Sequence, residues 1–286
     1  LKMNMMVNKG CAKGNQTSLS HAFKSKIMEE GLLIVKASGK TLNPRIMGEI
    51  ASIRLRGRNV VLVHGGGVQI DERVRSHLKC EPQFDSETGL RLTDEKTMRV
   101  VAEVLNRINL ETVSMLSGMG ISARGFSLDN GPFFGNAIGG RIGRYGRIIR
   151  TESSGVMESV LEGKLAVIAP LGKDAHGALN LNADDAAVAI AASLGVKEIV
   201  MLTSVDGIYI GGRKVEKICG FCSSSLAFLM ENPAVGKGMK EKIYACALAA
   251  DQGISVRIAS GMVENAIEFA LNGNAHGTTV SPPRAL

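Results

Sequence analysis

Two kinds of pattern alternate along the chain. The first is a short, continuous apolar run closed by glycine: "LLIVKASGK" (32–40), "NVVLVHGGG" (59–67) and "LAVIAPLG" (165–172). Such runs read as strands buried on both faces, the mark of a parallel sheet. The second has apolar residues every three to four positions. "IMGEIASIRLRG" (46–57) places Ile46, Ile50 and Ile53 on one helical face and stops at Gly57. "QIDERVRSHLK" (69–79) reads as a second helix. A long helical pattern over 93–120 opens at Thr93 or Asp94 as a cap, and the polar Asn106 and Asn109 predict a break before it resumes.

Further on, "ISARGFS" (121–127) is a short strand, and the glycine-rich, basic 129–150 predicts hairpins and loops rather than core. "NADDAAVAIAASLG" (182–195) is an alanine-rich helix capped by Asn182 and ended by Gly195. A strand within 197–209, helices at "SSLAFLMEN" (224–232) and 239–253, a strand at 255–261 and a helix at 264–273 complete the series. Regular strand–helix alternation predicts an α/β protein, a three-layer αβα sandwich around a mainly parallel central sheet.

Composition narrows the function classes. The 286 residues include 45% hydrophobic ones, 34 glycines and no tryptophan, so aliphatic and small side chains must build the core. The net charge is +7, yet no long Lys/Arg block and no aromatic–basic interleaving appears, which argues against nucleic acid. No uncharged apolar run approaches the roughly 18 residues of a membrane helix. Five scattered cysteines do not form a disulfide framework, and "CGFC" (219–222) has no partner pair to complete a metal tetrad. These features predict a reducing, cytoplasmic setting. Residues 1–18 read as a disordered leader and 19–286 as one domain.

Two strand ends carry candidate chemistry. Glycines between a strand and a helix leave backbone N–H groups open to an anion at the positive end of the helix. "VKASGKT" and "VHGGGVQ" both fit, and a phosphate crowding the backbone explains three successive glycines at 65–67. Gly39-Lys40-Thr41 is not a Walker A loop, because position 34 is Ile where that motif needs glycine. Lys36 sits near the end of an apolar strand and needs an anionic partner there, unless it snorkels from an edge. Asn180, Asn182 and Asp184 gather at a strand-to-helix junction, "VGKGMKEK" (235–242) is rich in lysine, and Arg91 in "GLRLTD" suits a carboxylate.

Taken in order, "VKASG", "VHGGGVQID", "GLRLTDEKTM", "IGRYGRI", "LNLNADDAAVAIA", "MLTSVDGIY" and "GKGMKEK" resemble the amino acid kinase family, from about residue 32 to about residue 279. Within it the chain is most similar to the acetylglutamate kinases. The resemblance implies ATP-dependent phosphorylation of the side-chain carboxylate of N-acetyl-L-glutamate, an early step of arginine biosynthesis. It implies ATP with Mg2+ as cofactors and no dedicated protein metal ligand. It also implies an acyl-substrate lobe at about 30–175, a nucleotide lobe at about 176–286 and a homo-oligomer.

Carried over by motif, Lys36 and Lys242 flank the transferred phosphoryl group and Asp184 orients them. Gly39, Gly65 and Gly66 donate backbone N–H groups to phosphate. Arg91, Asn180 and Asn182 hold the acyl substrate, and Thr203, Ser204, Gly238 and Met239 the nucleotide. Two positions depart from the family pattern: Ser38 replaces a glycine, and Ser204 an aspartate near the nucleotide. Related readings are a kinase for acetylated or carrier-linked aminoadipate, glutamate 5-kinase, and a non-catalytic, ligand-sensing member of the same fold. The intact Lys36, Asp184 and Lys242 weigh against the last.

Overall fold

Alternation of side chains along buried strands sets which groups meet. The computed structural model describes residues 31–220, 237–273 and 277–283. The expected leader 1–18, the expected helix at 224–232 and Cys222 lie outside these. Eight strands form one sheet: β1 (Leu33–Ala37), β2 (Val60–His64), β3 (Ala123–Phe126), β6 (Leu165–Ile168), β9 (Glu198–Thr203), β12 (Lys217–Ile218), β13 (Ser255–Ser260) and β14 (Gly277–Val280). Their order across the sheet is β12-β14-β13-β9-β1-β2-β6-β3, and every neighbouring pair is parallel except β13–β14.

One face of the sheet carries Leu33, Val35, Leu62, Val167 and Val200. It packs on α1 (Pro44–Leu55), on Leu116 of α3 (Glu95–Gly118) and on α7 (Ala266–Leu271). The opposite face carries Ile34, Val61, Val63, Ile168, Met201 and Ile258. It packs on α4 (Ser154–Leu161), α5 (Ala183–Leu194) and α6 (Lys237–Asp251). Between β2 and α3 lies α2 (Gly67–Arg73), continued by a π-turn over Val74–Leu78. Alanines dominate the buried stripe of α5 at 186, 187 and 191, so that helix lies close to the strands. The three-layer αβα sandwich is as the alternation predicts. Asn182 caps α5 through Oδ1, which accepts from the Asp184 and Asp185 amides, and Gly195 ends the helix.

Three expectations fail for identifiable reasons. The helix over 93–120 does not break at 106–109. It runs unbroken from Glu95 to Gly118, capped by Asp94, because the Asn109 carboxamide reaches the Phe126 and Val167 carbonyls instead of competing for its own backbone. The run 165–172 is two strands, since Pro170 turns the chain out of the sheet into β7 (Leu171–Asp174). Segment 129–150 is hairpin, as expected, yet it is also core.

That hairpin is β4 (Phe133–Gly139) and β5 (Gly143–Thr151), turned at a tip where Gly139, Gly140 and Gly143 have φ of 74, 54 and 71°. With β7 and β8 (Gly177–Asn180) it closes a four-stranded barrel, and Phe133 and Tyr145 are 1% and 6% exposed. A small ribbon, β10 (Ile208–Ile210) and β11 (Arg213–Val215), follows β9.

Candidate active site

Parallel strands aim their C-terminal ends at one edge of a sheet, and ligands of open α/β sheets collect there. At that edge β1 and β2 run in register, with Lys36 beside Val63 and Ala37 beside His64. The loops that follow, Ser38–Gly39 and Gly65–Gly66, therefore lie side by side. A Cβ on Gly65 would come 3.3 Å from the Gly39 nitrogen. One on Gly39 would meet the Gln69 Oε1 at 2.4 Å, and one on Gly66 the Leu105 and Ile108 methyls of α3 at 2.8 Å. Nothing lies within 4 Å of a Cβ on Gly67.

Contact with neighbouring segments of the chain thus crowds Gly66 and Gly39 and closely approaches Gly65, which accounts for part of the glycine pattern without a phosphate. The Gly65 N–H is also committed, to the Ala37 carbonyl at 2.8 Å, so Gly65 is no free phosphate donor. The amides of Gly67 to Gln69, in the first turn of α2, have no intrahelical acceptor. Gln69 holds the first loop by donating to the Gly39 carbonyl at 2.9 Å.

Strand alternation puts Lys36 on the α5–α6 face of β1. There its Nζ lies 2.7 Å from Asp184 Oδ1, and Lys242 Nζ of α6 donates to Asp184 Oδ2 at 3.0 Å. All three side chains are buried. Burial pushes the Asp184 carboxyl up, but Lys242 and Lys36 outweigh it and hold the group well below the usual carboxylate range. Burial also draws Lys36 down, against the pull of Asp184. The next residue in sequence behaves oppositely. Burial, Glu241 and Asp184 push Asp185 up to about 7, with only Arg147 at 3.3 Å opposing them.

The structure brings these three sequence-predicted residues together. Lys36 and Asp184 line a cleft of about 280 Å³ together with Gly39, Gly65, Gly66, Arg91, Asn180 and Asn182, whereas Lys242 reaches Asp184 without lining the cleft itself. Arg91 is buried and pairs with Asp71 Oδ1 at 2.6 Å, while Phe84 lies under its guanidinium, 4.8 Å from the ring centre. Its Nη1 is buried without a hydrogen-bond partner among the described residues. Asn180 donates to Thr93 Oγ1 at 3.2 Å. Asn182 lines the cleft, but its carbonyl oxygen caps α5 and its amide reaches Glu241 at 3.5 Å, so it is a helix cap before it is a ligand.

The remaining predicted residues do not line this cleft. Thr203 ends β9, next to β1 in the sheet, and its carbonyl accepts from the Gly261 N–H at 2.9 Å. Ser204 is exposed just beyond it. Gly238 and Met239 lie in the first turn of α6, and Met239 packs against the core. Sequence reasoning missed Gln69, Asp71, Phe84 and Glu241. Gln69 and Asp71 carry a weak signal, a polar residue at each end of a two-residue step after the glycines. Among the described residues no three His, Cys, Asp or Glu side chains gather as a metal-ligand set, and no helix is long and apolar enough to cross a membrane.

The model of the amino acid kinase family matches residues 31–260. An acetylglutamate kinase of Rubrobacter xylanophilus is 33% identical over 250 residues, covering 87% of this chain and 96% of that protein. One from Geobacillus kaustophilus is 32% identical over 257 residues, covering 87% and 95%. A putative [LysW]-aminoadipate/[LysW]-glutamate kinase of Pyrobaculum islandicum is 28% identical over 264 residues, covering 85% and 97%.

Among solved structures, an N-acetylglutamate synthase from Neisseria gonorrhoeae superposes with a TM-score of 0.75 at 20% identity, covering 96% of this chain and 64% of that one. Carbamate kinase from Giardia lamblia superposes at 0.61 and 16% identity, covering 88% and 98%. Correspondence with named kinases over nearly their whole length makes the chain a kinase. By fold, by motif order and by descent, then, it belongs to the amino acid kinase family.

Proposed function

We propose that this kinase transfers the γ-phosphoryl group of ATP to the side-chain carboxylate of N-acetyl-L-glutamate, giving an acyl phosphate. The observation that carries the reading is the convergence of Lys36 and Lys242 on the two oxygens of Asp184, with Lys36 and Asp184 lining the cleft that also holds Arg91. Two ammonium groups fixed by one carboxylate suit a group whose negative charge is spread over several oxygens during transfer. The acceptor carboxylate attacks phosphorus directly. The protein positions both reactants and neutralises charge, and the Gly66 N–H adds a neutral donor.

Arg91, which lines the cleft, forms a two-pronged salt link with the α-carboxylate of the substrate, while Asp71 and Phe84 keep its fork in place. The lobe at about 30–175 forms the acyl side, and Asn180, just beyond it at the end of β8, joins the barrel wall in shaping it. The nucleotide lies on the side of Thr203, Ser204, Gly238 and Met239, at about 176–286. Asp184 is engaged at both oxygens by lysines, so an Mg2+ accompanying ATP would be held mainly by the nucleotide and would supply charge neutralisation at its phosphates. We place the enzyme in arginine biosynthesis, in the cytoplasm, as a homo-oligomer.

The rival substrate is an aminoadipate or glutamate displayed on an acidic carrier. It calls for unpaired arginines on the 139–150 hairpin. Instead each faces a carboxylate: Arg141 with Asp85, Arg144 with Asp174, Arg147 with Asp185 and Arg150 with Glu152. ADP release and hydroxamate trapping of the acyl phosphate, measured with acetylglutamate, acetylaminoadipate and glutamate, test the reading. Turnover with acetylaminoadipate exceeding that with acetylglutamate overturns it.

A further inference from the structure

His64, the last residue of β2, has no part in the chemistry above, and it is fully buried directly beneath the glycine loop. Its Nε2 lies 3.2 Å from Asn109 Nδ2, and its Nδ1 lies 3.2 Å from the Gly65 carbonyl. The orientation of the Asn109 carboxamide is fixed by its surroundings. Its Nδ2 also faces the Phe126 and Val167 carbonyls at 3.3 and 3.0 Å, where an oxygen would face acceptors only. Its Oδ1 occupies space that a Cβ on Gly125 would fill at 2.2 Å. An amide nitrogen is a donor only, so His64 Nε2 is the acceptor and the ring proton sits on Nδ1, donating to Gly65. Burial lowers the imidazole to about 4, in keeping with a neutral ring.

The Gly65 carbonyl and the Gly66 N–H belong to one planar trans peptide and point in opposite directions. A carbonyl drawn down onto His64 therefore turns the Gly66 N–H up, towards the cleft that Gly66 lines. Helix α3 acts on the same peptide twice, since Leu105 and Ile108 close beneath Gly66 while Asn109 sets the histidine. We propose that Asn109 and His64 are positioning residues that hold the Gly65–Gly66 peptide with its N–H facing the transferred phosphoryl group. The phosphoryl half of this inference rests on the function proposed above; the tautomer and the peptide orientation do not.

Long-range 1H–15N spectra of histidine-labelled protein test the relay without any substrate. His64 is expected as the Nδ1–H tautomer, with no protonation between about pH 5 and pH 8. An Nε2–H tautomer, or a ring that protonates near its ordinary value, overturns the relay. Kinetics test its use. An asparagine side chain places a donor where Nδ1 was, and a glutamine places it where Nε2 was. His64→Asn should keep kcat within about threefold, whereas His64→Gln and Asn109→Leu should lower it about tenfold with acetylglutamate KM within about twofold. Melting temperatures identify any variant that fails to fold. Equal losses in folded His64→Asn and His64→Gln overturn the positioning role. If the wild-type enzyme turns over none of the candidate acids, the proposed function falls, and the spectra alone decide the relay.

Discussion

Replacing Asp184 by asparagine keeps the shape of the side chain and removes its charge, which leaves two buried ammonium groups facing each other. At 2.7 and 3.0 Å the gross attractions lost are about 6 and 5.5 kcal/mol at an effective dielectric constant near 20. Lys36 and Lys242 are 6% and 8% exposed, so water replaces little of that attraction. Deprotonation caps the damage: neutralising one lysine at pH 7 costs about 4.6 kcal/mol. The capped figure lies within the 3–5 kcal/mol typical of a broken buried pair. That corresponds to a fall in melting temperature of about 6–20 °C for a domain of this size.

The pH dependence gives a sharper signature. In the variant, buried lysines bind fewer protons than in the unfolded chain, so stability rises with pH as the unfolded lysines approach their own pKa. The penalty should shrink to about 1 kcal/mol per lysine by pH 9.5. Scanning calorimetry of both proteins from pH 6 to 9.5 is the assay. A drop in melting temperature under about 2 °C, or one independent of pH, means that the lysines are solvated and the clamp as described is wrong.

Other expectations follow from the same site. Lys36→Ala should lower kcat by about 10²–10³ with little change in KM, since its charge is needed mainly in the transition state; steady-state kinetics with an unchanged kcat reject that role. Arg91→Lys should raise acetylglutamate KM by about 1.5–3 kcal/mol in binding terms, and a KM within about twofold of wild type, with a lower melting temperature, makes Arg91 structural through Asp71 and Phe84. Gly66→Ala should cost about 1–3 kcal/mol by collision with Leu105 and Ile108, whereas Gly67→Ala meets nothing; equal denaturation midpoints for the two dismiss the packing account. Asp185 is raised to about 7 when folded, so its contribution is present below its unfolded pKa and lost as pH rises through about 7. Asp185→Asn should therefore stabilise the protein at pH 8 by about 1 kcal/mol or more and much less at pH 4, and no gain at pH 8 in chemical denaturation contradicts the buried, strained carboxylate.

The layered architecture was legible because its signals are local. Continuous apolar runs of five residues flanked by glycine have one common solution, a strand buried on both faces, and Asn182 with Gly195 bracket a helix by backbone chemistry alone. Lys36 was legible as a candidate because a charge in an apolar run demands a partner, whereas the roles of Asp184 and Lys242 came from the resemblance of their motifs to the family. What stayed hidden depended on long-range partners. Asn109 read as a helix breaker because its local competition with the backbone is visible in sequence, while the three acceptors that absorb its amide come from β2, β3 and β6. The glycines of "HGGG" suggested a phosphate, yet α3 presses on Gly66 and the neighbouring loop approaches Gly65, while Gly67 has open space beside it. Nor does sequence show that Asp71, twenty positions before Arg91, is the carboxylate that holds it.

The small barrel has a consequence for anyone recombining this enzyme with its relatives. The chain enters it twice, first as β4 and β5 and then, after returning to the main sheet for β6, as β7 and β8. The two visits are sewn together by the parallel seam of Phe133 with Gly172 and Phe134 with Lys173, and by Tyr145 beside Asn180. A crossover that exchanges only one visit splits both seams and leaves unmatched edges on each half. A grafted barrel must therefore be transplanted as two separated segments at once, with the native Leu165–Ile168 strand left between them.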